Sequence, residues 1–287
     1  MNQTAMTITT LTAALTTAMV AGTANAELAY GVTANQTLVS FDTNSSNAML
    51  SGVAISGLMA NEQVRGIDFR PANGALYALG SLSNLYRVDT ATGAATRIGS
   101  GAGFAISGSS YGFDFNPVID RIRVVSDTGI NYVFNPDTGS ATQVTGLFYA
   151  AGDANEGAAP NVTGSAYTNS FAGTTSTQLY GIDTGLDILV RQANSAGTLE
   201  TVGSLPTDIS DSVGFDISGV SGIGYVVTSG ADGSRSLLWT IDLSNGAASL
   251  VGEIGGGATL TSFAVVPAPG AFALLGLAGL GAARRRR

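Results

Sequence analysis

Short apolar and β-branched runs alternate with clusters of Gly, Asn, Asp and Pro along most of this chain. Between residues 65 and 100, four such runs follow one another: GIDF, LYALGS, LYRVDT and ATRIGS. Runs of this length, bounded by turn-forming residues, predict β-strands joined by hairpins. The pattern therefore predicts an all-β fold.

The pattern repeats along the chain. The stretch 65–100 recurs at 111–146 with an offset of 46 residues, and looser copies occupy 162–204 and 213–255. The offset is the same for four matched pairs: Gly66 and Gly112, Asp68 and Asp114, Pro71 and Pro117, and Gly93 and Gly139. A repeat of this length, with four strand-like runs in each copy, is typical of a propeller blade.

The two ends of the repeat region complement each other. Residues 28–53 match the second to fourth strands of a repeat but lack the first, whereas residues 260–266 match a first strand alone. A closed ring accounts for both, because the C-terminal strand would complete the N-terminal blade and leave no open edge. We therefore predict a five-bladed β-propeller of four-stranded blades. A β-sandwich or a solenoid is the alternative, and the incomplete first repeat favours the ring.

The composition of the chain excludes several kinds of active site. The chain has no His and no Cys, which excludes Ser-His-Asp and HExxH sites as well as disulfides. All 12 basic residues are Arg, and four of them close the chain. The rest of the chain sets 20 acidic residues against 8 arginines, a net charge of −12. Such an acidic body argues against a nucleic-acid partner.

The amino-terminal segment predicts export. Residues 8–21 are mildly apolar, and the segment ends on Ala24-Asn25-Ala26, with the small residues that a signal peptidase accepts. We predict a signal peptide over 1–26 and a mature chain that begins at Glu27. The alternative is an N-terminal helix of the mature fold, which a Thr- and Ala-rich segment without an amphipathic stripe favours less.

Several long motifs resemble a known family. The stretches GIDFRPANGALYALGS, FDFNPVIDRIRVVSDTG, NPDTGSATQV, YAAGDANEGAAPNVTGSAYTNS and TQLYGIDTGLDILVRQ are similar to the DUF4394 domain of unknown function. The resemblance spans roughly residues 28–266, so we assign 27–266 to this domain. It implies a propeller-like extracellular or periplasmic domain, and it implies no activity, substrate or catalytic residue.

The carboxyl end resembles a PEP-CTERM sorting signal over residues 267–287. A proline motif (Val266, Pro267, Ala268, Pro269) precedes an apolar segment and a terminal cluster of Arg284, Arg285, Arg286 and Arg287. The 14 apolar residues would make a helix about 21 Å long, which is short for a ~30 Å bilayer core. The resemblance implies processing by an exosortase-type enzyme and a transient membrane association. It also implies a Gram-negative bacterium that makes exopolysaccharide. The alternative is a membrane anchor that is never cut.

Three aspartates form the first candidate site. Asp68, Asp114 and Asp216 hold the same position in the first strands of three repeats, where the other two copies carry Ala166 and Ala264. First strands line a propeller axis, so three carboxylates could converge there and bind Ca²⁺ or Mg²⁺. No cofactor is established, and Ca²⁺ is the candidate ion. The stronger alternative is that each Asp accepts hydrogen bonds from nearby backbone amides.

Loops between blades form the second candidate site. A ligand-binding face is predicted where the last strand of one blade connects to the first strand of the next. The residues assigned to it are Glu62, Arg65, Asp153, Asn155, Glu156, Asp208 and Asp211. Solvated loop charge is the simpler interpretation of any one of them.

Three classes of function remain. The first is a non-enzymatic surface or matrix protein, whose propeller binds an exopolysaccharide or a surface protein. The second is a metal-dependent hydrolase or lactonase-type propeller enzyme, which could use Asp, Glu and Asn around a cation without any His. The third is a structural envelope protein without a ligand.

Overall fold

The computed structural model describes residues 26–230 and 232–267, and these residues form a ring of β-sheets. The strands are β1 Leu28–Thr33, β2 Thr37–Asp42, β3 Met49–Ala54, β4 Val64–Phe69, β5 Leu76–Gly80, β6 Leu85–Val88, β7 Ala95–Ile98, β8 Tyr111–Asn116, β9 Arg121–Ser126, β10 Asn131–Phe134, β11 Ala141–Gln143, β12 Phe148–Tyr149, β13 Val162–Tyr167, β14 Leu179–Asp183, β15 Ile188–Gln192, β16 Thr198–Ser204, β17 Gly214–Ile217, β18 Gly224–Ser229, β19 Ser236–Ile241, β20 Ala248–Glu253 and β21 Leu260–Val265. A single 3₁₀ turn, Asn194–Ala196, joins β15 to β16.

Five sheets form the five blades of a propeller, which confirms the predicted fold. Blade 2 is β4 to β7, blade 3 is β8 to β11, blade 4 is β13 to β16 and blade 5 is β17 to β20. Blade 1 has the order β21-β1-β2-β3, so the last strand of the chain completes the first blade. Neighbouring strands within these four-stranded units are antiparallel, as the hairpin signals predict.

The first strand of each blade lies at the axis. These inner strands are β21, β4, β8, β13 and β17, and each packs against the next around the ring until β17 meets β21. The inner strands are almost fully buried, whereas the outermost strands β3 and β20 are largely exposed. Burial therefore falls from the axis outward, and polar residues accumulate at the rim.

Glycine allows the inner strands to approach closely. A Cβ added at Gly112 would lie 2.6 Å from the Cβ of Ser165, and one at Gly214 would lie 2.6 Å from the Cβ of Phe263. No side chain fits at such separations, so these positions require glycine. The repeated GxD pattern of the inner strand is therefore a packing requirement at the axis.

The two faces of the ring carry different connections. We call the face where the inner strands begin the upper face; the blade-to-blade connections cross it. The face where the inner strands end is the lower face, and it holds the turns between the third and fourth strands. In three of these turns Gly93, Gly139 and Gly246 adopt φ of 73°, 71° and 81°, a left-handed conformation that glycine adopts at little steric cost.

One element was not predicted. The connection from blade 3 to blade 4 contains β12, which pairs in parallel with β16 and adds a fifth strand to blade 4. The two-residue strand forms because Phe148 and Ala150 donate backbone hydrogen bonds to Gly197 and Leu199.

The predicted terminal signals lie largely outside the described residues. Of the signal peptide only Ala26 is described, and the sorting tail is described to Pro267. Among residues 26–230 and 232–267, no helix is long and apolar enough to cross a membrane.

Candidate functional site

The structure brings the three predicted axial aspartates together. Asp68, Asp114 and Asp216 lie on β4, β8 and β17, and one carboxylate oxygen of each lies within 4.8 Å of the others. All three side chains are buried. In the described part of the chain, they form the one group of three or more acidic residues that could share a cation.

Each aspartate also joins its blade to the next blade in the ring. Its carboxylate accepts a hydrogen bond from the amide that follows the equivalent position of the neighbouring inner strand. These bonds link Asp68 to the amide of Phe115 at 2.7 Å, Asp114 to that of Tyr167 at 2.9 Å, and Asp216 to that of Val265 at 2.6 Å. The carboxylates therefore accept backbone hydrogen bonds, as in the alternative to a metal site. Because the amides belong to the next blade, these bonds also hold neighbouring inner strands together.

Burial changes the protonation of this triad. Burial, and the charge of Asp216, raise the pKa of Asp68 well above its usual range. Burial, and the charges of the other two aspartates, do the same for the pKa of Asp114. Burial raises the pKa of Asp216 to about 7, although its two backbone hydrogen bonds act in the opposite direction. Burial therefore favours the protonated forms of the triad, and a bound cation would act in the opposite direction.

A small hard cation is compatible with this geometry. Ca²⁺ binds oxygen ligands at about 2.3–2.6 Å, so two ligands across one ion stand up to about 5 Å apart. The three aspartates could supply such ligands. The axial channel, lined by residues that precede the aspartate position on the inner strands and not by the aspartates themselves, has a volume of only about 20 Å³. That is room for about one water molecule or one ion.

Two serines in this channel have no hydrogen-bond partner. Ser165 and Ser262 line the channel, and both hydroxyls are buried without a partner among the described residues. Arg65 also lines the channel, because it lies within β4 itself. The sequence placed Arg65 in a connection between blades, which was wrong: the strand begins one residue earlier, at Val64.

Glu62 is an internal tether in the upper connection between blades 1 and 2. Its carboxylate is buried and accepts hydrogen bonds from the side chains of Asn84 and Tyr86 and from the amide of Leu82. Burial, together with the Glu62 hydrogen bond, raises the pKa of Tyr86 to about 12. The carboxylate is therefore fully engaged within blade 2.

The connection between blades 3 and 4 is hydrogen-bonded to strand β16 of blade 4. Asp153 accepts hydrogen bonds from the amide and the hydroxyl of Thr201, both at 2.7 Å. Asn155 donates to the same hydroxyl, and Glu156 accepts from the amide of Gly152. These residues hold the connection against β16.

Asp208 and Asp211, in the connection between blades 4 and 5, do not form part of the axial triad. Asp211 accepts hydrogen bonds from the Asn161 side chain at 3.0 Å and the Thr184 hydroxyl at 2.7 Å. Asp208 is exposed on the same connection. The predicted loop residues thus lie around the upper face without converging on a common point.

A groove on blade 2 was missed from the sequence. Tyr77, Arg87 and Thr96 are cross-strand neighbours on β5, β6 and β7, so their side chains share the face turned toward blade 3. Together with turn residues such as Asn73, Asp89 and Asp137 they line an open cavity of about 790 Å³. We call it the blade 2 groove.

An arginine network flanks this groove. The Arg70 guanidinium binds Asp120 and, at 2.7 Å, Asp137, and it donates to the Tyr77 hydroxyl at 3.1 Å. Its carbon Cζ also lies 5.9 Å from the centre of the Tyr77 ring. These contacts raise the pKa of Arg70. They also hold two turns of blade 3, the one that contains Asp120 and the one that contains Asp137, beside the groove.

Arg87 differs from Arg70. It is exposed and belongs to none of the four ion pairs found among the described residues, which are Arg70–Asp120, Arg70–Asp137, Arg191–Glu200 and Arg235–Glu253. Its guanidinium therefore offers hydrogen-bond donors to the groove. An alignment of the third and fourth strands of the repeats would have placed Arg87 opposite Thr96. This pairing was the signal in the sequence that could have indicated the groove.

The equivalent face of blade 4 carries an arginine that is engaged in an ion pair. Tyr180, Arg191 and Glu200 occupy the cross-strand positions of Tyr77, Arg87 and Thr96. Here the guanidinium of Arg191 pairs with Glu200 at 3.4 Å. The cavity beside them, which we call the blade 4 groove, has a volume of only about 220 Å³.

A family model described as "Domain of unknown function (DUF4394)" matches residues 37–264, and the chain therefore belongs to this family. A search of curated proteins gave no match.

Three solved structures are similar to the chain at low sequence identity and with TM-scores below 0.5. The chain is 12% identical to a chain of a nidogen/laminin complex, over 84% of this chain and 98% of that one, with a TM-score of 0.49. It is 10% identical to a putative 6-phosphogluconolactonase from Bacteroides uniformis, over 80% and 82%, with a TM-score of 0.43. It is 16% identical to a protein of unknown function from Bacteroides thetaiotaomicron, over 85% and 68%, with a TM-score of 0.47.

Proposed function

We propose that this DUF4394 propeller is an exported, non-enzymatic binding module of a Gram-negative bacterial surface or matrix, and that the blade 2 groove binds a neutral polysaccharide. The observation that carries the proposal is the open polar groove around Arg87, whose guanidinium belongs to none of the ion pairs of the described residues. A sugar chain presents many hydroxyl oxygens, which accept hydrogen bonds from such a group.

The lining of the groove suits a polyhydroxylated ligand. This lining includes Asn73, Thr96, Asp89 and Tyr77, which carry amide, hydroxyl, carboxylate and phenol groups. The carboxylates of Asp89 and Asp137 accept hydrogen bonds from hydroxyls but repel anions. The groove therefore favours neutral over acidic sugars, and the net charge of the chain acts in the same direction.

Export and sorting belong to the same proposal. The amino-terminal segment ends in a signal-peptidase motif, and the carboxyl-terminal segment has the proline, apolar and arginine order of a sorting signal. Both sequences support export, transient membrane attachment and processing by an exosortase-type enzyme. A surface location would bring the groove into contact with exopolysaccharide.

A metal-dependent hydrolase is the second candidate, and the convergence of Asp68, Asp114 and Asp216 favours it. The channel beside the triad is too small for an organic substrate. Four of the upper-face acidic residues that could supply other ligands, Glu62, Asp153, Glu156 and Asp211, already accept hydrogen bonds from groups of the protein. The geometry therefore supports binding better than catalysis.

The test is calorimetric titration of the purified full chain with three polysaccharides: exopolysaccharide from the producing strain, dextran as a neutral glucan, and alginate as an acidic one. We expect binding to a neutral polymer and none to alginate. The Thr96→Glu variant places a carboxylate opposite Arg87 and should weaken binding about tenfold, equivalent to about 1.4 kcal/mol.

A matched control is Ser249→Glu, which makes a similar change at the corresponding position of blade 5. It should bind like the wild type. Unchanged binding by Thr96→Glu would move the site away from the blade 2 groove, and no binding to any of the three polymers would overturn the polysaccharide proposal.

A further inference from the structure

Glu27 carries a buried carboxylate that lacks a partner. Its residue is 6% exposed, and both carboxylate oxygens are inaccessible to solvent without a hydrogen bond among the described residues. The preceding residue, Ala26, is exposed. Burying a carboxylate without a compensating hydrogen bond or cation is costly, so this arrangement requires an explanation.

The surroundings of Glu27 make the cost larger. The charge of Glu27 contributes to the raised pKa of Asp216, and its charge and that of Asp42 contribute to the raised pKa of Tyr225, both after burial. No arginine pairs with Glu27 in any of the four ion pairs of the described residues. The two groups on which the charge of Glu27 acts, Asp216 and Tyr225, are an acid and a phenol, and neither is a cation that could pair with its carboxylate.

The backbone of Glu27 is held firmly in blade 1. Its amide donates a hydrogen bond to the Thr43 hydroxyl at 3.2 Å, and its carbonyl accepts one from the Thr43 amide at 2.9 Å. The nitrogen of Glu27 is therefore fixed in the same buried position as the carboxylate that needs a partner.

We propose that cleavage between Ala26 and Glu27 creates a buried α-ammonium group that pairs with the carboxylate of Glu27, so that processing completes the folding of blade 1. Water adds across the peptide bond, the carbon–nitrogen bond breaks, Ala26 leaves as a carboxylate, and the amine of Glu27 takes up a proton. The new group keeps its donor to Thr43 and gains donors for the carboxylate. This inference rests on the export that is part of the proposed function.

Composition provides a direct test, because the chain contains no Lys. The α-amine is therefore the single primary amine of the mature protein, and an amine-reactive reagent reports on it alone. The full-length gene is expressed in a Gram-negative host, the exported protein is purified, and its amino terminus is identified by mass spectrometry. The rate of labelling at pH 8 is then compared in buffer and in urea.

We expect the chain to begin at Glu27 and its amine to react about tenfold or more slowly when folded, because a neighbouring carboxylate raises the pKa of an ammonium group by about 1–3 units. Glu27→Ala should abolish part of this protection; alanine is used because a glutamine at the amino terminus would cyclise to pyroglutamate and remove the amine. Glu200→Ala is the control, since Glu200 is exposed and remote from blade 1. If Glu27→Ala does not fold, Thr43→Val removes the other partner and should also speed labelling.

The outcomes separate this inference from export. A protein that stays in the cytoplasm and begins at Met1 would overturn both the cleavage and the export, whereas an exported protein that begins at Met1 would overturn the cleavage alone. A chain that begins at Glu27 but is labelled equally fast folded and unfolded would overturn the buried ammonium and leave export intact. Protection that Glu27→Ala and Thr43→Val leave unchanged would also overturn the pairing.

Discussion

The axis and the blade 2 groove use similar side chains in opposite surroundings. At the axis, the carboxylates of Asp68, Asp114 and Asp216 are buried and engaged by backbone amides. In the groove, Arg87 is exposed and Asp89 stands at the rim. Burial and hydrogen bonds to the neighbouring blade give the axial carboxylates a structural role, whereas an exposed guanidinium outside any ion pair of the described residues is available to a ligand.

The comparison predicts different consequences for mutation and pH. A change at the axis should alter the free energy of unfolding and leave ligand affinity alone. A change in the groove should do the reverse. The four predictions below test this separation, from the largest expected effect to the smallest.

The largest effect is the pH dependence of stability. A carboxyl whose pKa is raised on folding binds its proton more tightly in the folded state, so stability falls as pH rises between the unfolded and folded pKa values. For Asp216, with a folded pKa of about 7, the window runs from about pH 4 to 7. The loss is on the order of 4 kcal/mol, because one pKa unit corresponds to about 1.4 kcal/mol.

Urea unfolding at pH 4.5, 6 and 8 in the presence of a chelator checks this prediction. The variant Asp216→Asn, which cannot ionise, should flatten the curve. Recovery of the lost stability by millimolar Ca²⁺ would show that the triad binds the cation. Rising stability between pH 4.5 and 8 would contradict the assignment of raised pKa values.

The second prediction separates charge from hydrogen bonding at Asp114. Asp114→Ala leaves the amide of Tyr167 without its acceptor and should cost about 1–3 kcal/mol of unfolding free energy. Asp114→Asn retains an acceptor oxygen and removes the ionisable group, so at pH 8 it should be at least as stable as the wild type. Urea unfolding measures both variants, and equal destabilisation by Ala and Asn would contradict the clasp between blades 3 and 4.

The axis was predictable because its repeat unit encodes it. Asp68 and Asp114 recur with an offset of 46, and every first strand faces the axis, so their convergence follows from the symmetry of the ring. What the sequence did not indicate is that their acceptor bonds cross to the next blade. That depends on the register between inner strands, and sheets set this register through packing that no local pattern encodes.

The groove was not predictable by the same reasoning. Arg87 and Arg191 hold equivalent positions, but Arg87 stands opposite Thr96 whereas Arg191 stands opposite Glu200. The groove therefore depends on a residue that departs from the repeat. The upper-face charges were misleading for a related reason. Loop residues such as Asp153 and Asp211 can bind ligands or their own backbone, and only the folded chain shows which.

The third prediction concerns Arg87. Arg87→Ala should weaken polysaccharide binding about tenfold, or about 1.4 kcal/mol, because the ligand loses its charged hydrogen-bond donor. Thermal unfolding should change little, within about 0.5 kcal/mol, because the side chain is exposed. Arg191→Ala removes the paired arginine of blade 4 and should leave affinity unchanged; a matching loss there would show that Arg87 has no special role.

The smallest effect tests whether the ion pair is what distinguishes the two grooves. Glu200→Thr recreates the Arg–Thr arrangement of blade 2 on blade 4 and releases Arg191. Its cost in stability should be no more than about 0.5 kcal/mol, because exposed ion pairs contribute little. If an unpaired arginine on this face is sufficient, calorimetry will detect a second, weaker polysaccharide site in Glu200→Thr. If the stoichiometry stays at one, the larger volume of the blade 2 groove and the wall that the Arg70 network builds from blade 3 must supply the rest of the binding site.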